Sequence, residues 1–291
     1  MDLLIGLKMI TKTLPRFIAS KAAPLLYRNF LSKIPKNKWK GKDFSMTLGF
    51  DIDYPEDVVA LPKLLDLLSD HSLVGSFAAV GKFVELNPAP FKRIIDEGHE
   101  LVNHSYSHPN GYFNPDEYFH KLPVYRQEEE IKKCHEVCVK KLGYSPLGFR
   151  TPHFGDQHCE SVYPLLKRLE YVYSSSTILT RTKGLPFYPT KDHVLELPVM
   201  TCPEHYFPVF DSFHCFRSKP PAHPKKGEFL KLFKKSLQMA KEHGFYANFY
   251  FDPMDIARNE EFAECLAELK KEKAFVSTSL QVARLYIGEL Q

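Results

Sequence analysis

The chain has 291 residues, 44% hydrophobic and 25% charged, enough to bury the core of one large α/β domain or two small ones. Its net charge of +4 is uneven: residues 1–42 hold ten Lys/Arg against the single acid Asp2, while the remaining chain is net acidic. This excludes the overall basic character of a nucleic-acid binder. It also excludes a spanning helix near the start, where no uncharged run exceeds six residues against the roughly 20 needed.

Leu3, Leu7, Ile10, Leu14 and Phe17 step by four and three residues, a helical stripe, with Lys8, Lys12 and Arg16 on another face. Residues 1–42 therefore read as a basic amphipathic helical arm, and 43–291 as the folded domain. Such an arm either rests on an anionic membrane surface or packs on the domain wall. From residue 45 short apolar runs alternate with helical patterns. Strands are expected at 46–50, 74–80, 100–103, 147–150, 171–175, 194–199, 246–251 and 274–276. Helices are expected at 58–68, 91–97, 126–142, 162–169, 229–243, 261–271 and 279–290. Repeated β-then-α order is the signature of a parallel sheet, open or closed into a barrel. In both forms functional residues gather beyond the C-terminal strand ends, where Asp51, Asp53, His104, His108, Arg150 and Asp252 fall. Two irregular stretches, 109–125 and 200–224, are rich in Pro, His and aromatics. Their rings either wall a site at the rim or bury themselves as a cap.

The six cysteines, at 134, 138, 159, 202, 215 and 265, contain no Cys-x-x-Cys. They read as free thiols in a reducing compartment, with Cys202–Cys215 the one disulfide worth testing. No secretory-leader core of roughly 7–15 apolar residues is visible. The expectation is a cytoplasmic protein, with peripheral contact through residues 1–42 at the inner membrane face as one outcome.

Asp51-x-Asp53 and His104-x-x-x-His108 carry the chemistry. One carboxylate and two imidazoles can hold a divalent metal and leave coordination positions open. The second carboxylate is a candidate general base beside metal-activated water. Ser105 and Ser107 read as turn-shaping residues, because no base is placed for them.

Together these motifs make the chain resemble the polysaccharide deacetylases, carbohydrate esterase family 4. Phe50-Asp-Ile-Asp53, His104-Ser-Tyr-Ser-His108, Gly148-Phe-Arg150-Thr-Pro152 and Leu195-Glu-Leu-Pro198 resemble family motifs in the right order across roughly residues 44–285. The resemblance implies a distorted (β/α) barrel of seven strands and hydrolysis of an N-acetyl group on a glycan or lipid-linked sugar. It implies Asp53, His104 and His108 as ligands of a divalent metal, commonly zinc, with Asp51 as general base and Arg150 as its partner. Pro152, Tyr112, Phe154 and Glu196 are the expected substrate-binding residues. Two alternatives stay open: a glycan-binding barrel with weakened turnover, and a hydrolase of non-sugar C–N bonds.

The sequence departs from the family on one side. Asp252, before Pro253, stands where the family has a histidine, and Ser174 where it has a supporting aspartate. The proton donor for the leaving amine is then a tuned Asp252, or a histidine from elsewhere (His153, His205 or His214), or lacking. Unperturbed Asp is protonated in only roughly one molecule per thousand at pH 7.

Overall fold

Nine consecutive buried residues form β1 (Phe44–Ile52). Phe44, Met46, Leu48, Phe50 and Ile52 alternate with Ser45, Thr47, Gly49 and Asp51, so one face is apolar and the other polar or small, and both are buried, as in a parallel sheet covered by helices; β1 pairs with three other strands. The computed structural model describes residues 25–27, 29–33, 39–155, 157–182, 194–205 and 208–288. The further strands are β2 (Gly75–Ala79), β3 (Glu100–Asn103), β4 (Gly148–Phe149), β5 (Tyr173–Ser174), β6 (Leu195–Glu196), β7 (Tyr246–Phe251) and β8 (Ala274–Val276). They lie in the order β6-β5-β4-β3-β2-β1-β7. All pairings are parallel.

β8 pairs with the first residues of β1, Phe44–Met46, and β2 with its later residues, Leu48–Ile52. The two ends of the seven-strand path meet: Met200 N donates to the Asn248 carbonyl at 2.7 Å, and Asn248 Nδ2 to the Leu197 carbonyl at 2.8 Å. The sheet is thus the expected distorted barrel, and short β4, β5 and β6 are its irregular part.

The helices are α1 (Pro55–Asp70), α2 (Gly81–Leu86), α3 (Pro88–Asp96), α4 (Val124–Leu142), α5 (Val162–Arg168), α6 (Glu228–His243), α7 (Pro253–Ile256), α8 (Glu260–Lys270) and α9 (Ser279–Tyr286). The short α2 and α7 carry too few residues for a periodic pattern and do not appear in the sequence reading. In α4 one face is buried: Ile131, Cys134 and Cys138 lie inside, and Leu142 packs against the core. All six cysteines are free.

Most of the basic arm, including the stripe from Leu3 to Phe17, lies outside the described residues. Its last part joins the body. The Tyr27 hydroxyl donates to the Thr201 carbonyl at 3.1 Å, and Tyr27 and Leu31 belong to the main core. Trp39 is 1% exposed, its indole N–H donates to the Gly244 carbonyl at 3.0 Å, and its ring lies beside Tyr246. Trp39→Ala should therefore lower stability by about 3–5 kcal/mol, as expected for a large core truncation. A urea melt reads this directly; an unchanged midpoint would mean that Trp39 is not part of the fold. Among the described residues no helix is long and apolar enough to cross a membrane.

Candidate active site

The parallel order brings the ends of β1, β3, β4 and β7 to one rim. Asp51 lies near the end of β1, opposite Ala78 of β2, and Asp53 follows at the strand end. His104 directly follows β3, Arg150 directly follows β4, and Asp252 directly follows β7. His104 Nε2 lies 3.2 Å and His108 Nε2 3.4 Å from the same oxygen, Asp53 Oδ1. The three side chains put one donor atom each within 4.8 Å of the others.

The loop between the histidines is held in shape by groups outside it. Ser105 and His108 have positive φ (62° and 52°), a conformation that costs free energy and persists only where surroundings impose it. Asn103 Oδ1 accepts from Ser105 N at 2.9 Å, and Ser105 Oγ from His108 N at 3.1 Å. Glu130 of α4 accepts from Tyr106 N at 3.0 Å, Ser107 N at 2.7 Å and Ser107 Oγ at 2.8 Å. Ser105 and Ser107 are thus turn residues. Gly111 is required by proximity: a Cβ there would collide with His108 Nδ1.

His104 Nδ1 lies 2.8 Å from the Arg150 carbonyl. A carbonyl only accepts, so Nδ1 carries a proton, and in the neutral ring Nε2 is left with the lone pair a cation would take up. Burial disfavours every charge here, but the His108 and His104 imidazoles outweigh it at Asp53 and hold its carboxyl well below the usual range. Burial pushes His108 down to about 3, so its imidazole stays neutral and available as a ligand. At His104, burial is outweighed by the Asp53 and Asp51 carboxylates, and its pKa rises. Asp53 Oδ1, His104 Nε2 and both ring nitrogens of His108 are buried without a hydrogen-bond partner. Buried polar atoms left unsatisfied are costly, and a cation among one carboxylate and two imidazoles would satisfy them together. The donor set fits a divalent metal.

Asp51 stands beside this cluster, with Oδ2 3.7 Å from His104 Nε2. Arg150 Nη1 donates to Asp51 Oδ1 at 2.5 Å, Nη2 to Ser175 Oγ at 2.9 Å, and Nε to the Ser175 carbonyl at 3.1 Å. Burial pushes the Asp51 carboxyl up, while Arg150 and His104 pull it back. Gly49 makes room for this fork: its Cβ would meet the Phe249 carbonyl at 2.5 Å and press on the guanidinium.

The remaining expected residues divide. His153 has its ring centroid 4.7 Å from that of His108, and its Nε2 donates to the Asn110 carbonyl across 2.9 Å. Its free nitrogen is therefore an acceptor, and burial lowers its pKa. Phe154 sits edge-on to Tyr250, with Arg150 5.3 Å over its ring, while Pro152 is buried. Tyr112 is 57% exposed and stacks near Phe83. Glu196 faces inward: it accepts from Ser176 N, Thr177 N, Thr177 Oγ1 and Tyr163 Oη, all within 3.0 Å, and has no exposed surface.

Asp252 is buried and accepts from three donors: Arg217, the Tyr250 hydroxyl at 2.7 Å and the Ser212 hydroxyl at 3.2 Å. Arg217 Nε also reaches Asp255 at 2.9 Å. Ser174 donates to Ser176 at 2.8 Å and has no contact with Asp252 among these bonds. Arg217, Ser175 and Glu130 were not singled out from the sequence. The one signal for Arg217 was its place in the long 200–224 segment.

Residues 38–173 match the family model described as Polysaccharide deacetylase. The chain is 38% identical over 109 residues to a peptidoglycan-N-acetylglucosamine deacetylase of Bacillus cereus, covering 37% of this chain and 36% of that protein. It is 41% identical over 69 residues to the peptidoglycan-N-acetylmuramic acid deacetylase PdaA of Bacillus subtilis, covering 24% of this chain and 26% of that one. The matched stretch thus spans little more than a third of these relatives at most. The crystal structure of a Mycobacterium smegmatis protein described as a polysaccharide deacetylase superposes with a TM-score of 0.71 at 18% identity, covering 87% of this chain and 94% of that one. That likeness shows a shared fold.

Proposed function

We propose that this chain, whose residues 38–173 match the polysaccharide deacetylase family model, is a metal-dependent hydrolase removing N-acetyl groups from the hexosamines of a peptidoglycan-type glycan. The observation that carries this reading is the set of buried, unpartnered donor atoms on Asp53, His104 and His108 beside the Arg150-held Asp51. A divalent ion such as zinc held by those three residues would supply Lewis-acid chemistry, polarising the acetamide carbonyl and acidifying water.

The chain's own groups supply the rest. Asp51 accepts the proton of the attacking water, and Arg150 keeps its carboxylate ionised and fixed in direction. His104 is locked in one tautomer by the Arg150 carbonyl. Exposed Tyr112, and Phe154 packed against Tyr250 and Arg150, are the aromatic candidates for contact with a sugar, with Pro152 in the Arg150 motif. The Glu196 carboxylate is already occupied, so its role is to brace the Ser176–Thr177 turn.

The leaving amine also needs a proton. Asp252 is held as an acceptor by Arg217, Tyr250 and Ser212, and neutral His153 offers an acceptor nitrogen. This arrangement favours a second reading, a glycan-binding barrel with weak turnover. Acetate release from N-acetylated peptidoglycan fragments and chitooligosaccharides, with and without chelator, separates the two. The proposal expects release that stops with chelator and returns with added zinc. Glycan binding without release would favour the second reading, and release insensitive to chelator would overturn the metal assignment.

A further inference from the structure

We propose that Cys202, His205, His214 and His223 form a second metal site, a closed zinc centre of one thiolate and three imidazoles that folds the 200–224 segment. The four side chains place one donor atom each within 4.8 Å of one another. Cys202 Sγ lies 3.6 Å from His205 Nδ1 and 3.5 Å from His223 Nε2, and His205 Nδ1 lies 3.0 Å from His214 Nε2. A tetrahedral zinc with bonds of about 2.0–2.3 Å sets neighbouring N and S donors roughly 3.3–3.6 Å apart. These three spacings lie near that range and the other donor pairs are within 4.8 Å, so side-chain adjustment alone can bring the four donors onto one ion.

The chemistry agrees with the geometry. Thiolate and imidazole are the ligands zinc prefers, and four protein ligands leave no open position, as in structural rather than catalytic sites. Cys202 and His223 are buried, and His205 and His214 half-buried. Hydrogen bonds pair these groups only two at a time, because each ring nitrogen either donates or accepts. A cation engages all four donors at once.

The backbone is arranged around the same point. His205 N donates to the Cys202 carbonyl at 3.2 Å, closing the first turn. His214 lies in the single helical turn Phe213–Arg217. Ala222 N then returns to the His214 carbonyl at 3.1 Å, and His223 N to the Cys215 carbonyl at 3.2 Å. Three pieces of an otherwise irregular segment are thereby gathered on one centre. A long structured loop without regular elements needs such a staple. The same segment carries Ser212 and Arg217, both bonded to Asp252, so the centre would also fix that side of the catalytic rim.

Cobalt substitution tests this independently of catalysis. The metal-stripped full chain is titrated with Co²⁺ and followed by absorption. A thiolate-to-cobalt charge-transfer band is expected in wild type, because the Asp53–His104–His108 group has no sulfur. The band should persist in His104→Ala and vanish in Cys202→Ser, and zinc should displace it. If Cys202→Ser fails to fold, the wild-type and His104→Ala spectra still decide. Folded wild type saturated with cobalt and lacking the band would overturn the proposal, as would a band that survives Cys202→Ser.

Discussion

Asp51→Asn should lower acetate release by about 10²–10⁴-fold, the usual worth of a positioned general base, while leaving metal content unchanged. The amide has nearly the shape of the carboxyl, and Arg150 can still donate to its oxygen, so the fold should survive. Asp51 lies 3.7 Å from His104 Nε2, beside the Asp53–His104–His108 group of donors rather than within it. The pH profile supplies a second readout. A base works only when ionised, and burial pushes the Asp51 carboxyl above its ordinary value. Wild-type activity should therefore be lost on acidification as the Asp51 carboxylate takes up its proton. Unchanged turnover in the asparagine variant would remove Asp51 from the mechanism.

Arg150→Met should destabilise the protein by about 3–5 kcal/mol, the range for breaking a buried ion pair by removing one partner. The carboxylate of Asp51 would remain buried beside Asp53 with its main cation gone, and the Ser175 carbonyl and hydroxyl would lose their donors. In whatever fraction folds, the Asp51 carboxyl should rise further, so the acid limb of the pH–rate profile should move to higher pH. A purely structural role would not move that limb. Arg150→Lys should restore little, because a point ammonium cannot bond Asp51 and both Ser175 acceptors at once. Denaturant melts and pH profiles of the two variants check this, and a wild-type acid limb in Arg150→Met would separate Arg150 from the base.

Much of the site was legible in sequence because it is built from short spacings at strand ends. Strands 100–103, 246–251 and 274–276 have the bounds read from the sequence, because short apolar-rich runs bounded by turn signals mark buried strands. His104 and His108 follow such an end by one and five residues, so local chain geometry places them together. The misreadings have a different origin. Glu196 was expected to bind substrate on the strength of the family resemblance, yet Tyr163 and the Ser176–Thr177 amides claim it. Asp252 looked like a replacement acid, but its partner Arg217 lies 35 residues away in a segment with no periodic pattern.

The sequence by itself determined a parallel β-then-α sheet, open or closed, most of its strands and helices in order, and the gathering of Asp51, Asp53, His104 and His108 at one rim. These follow from periodicity and near-neighbour spacing, which act over a few residues. Only the tertiary structure decided which other distant groups meet: Ser175 on Arg150, Glu130 on the His104–His108 loop, Arg217 on Asp252, and Cys202 with three histidines. Such pairs arise when the sheet closes and long loops settle on its rim. Loop-closure entropy varies only slowly with loop length, so no spacing in the chain marks the partners in advance, and burial and charge select them once the barrel has formed.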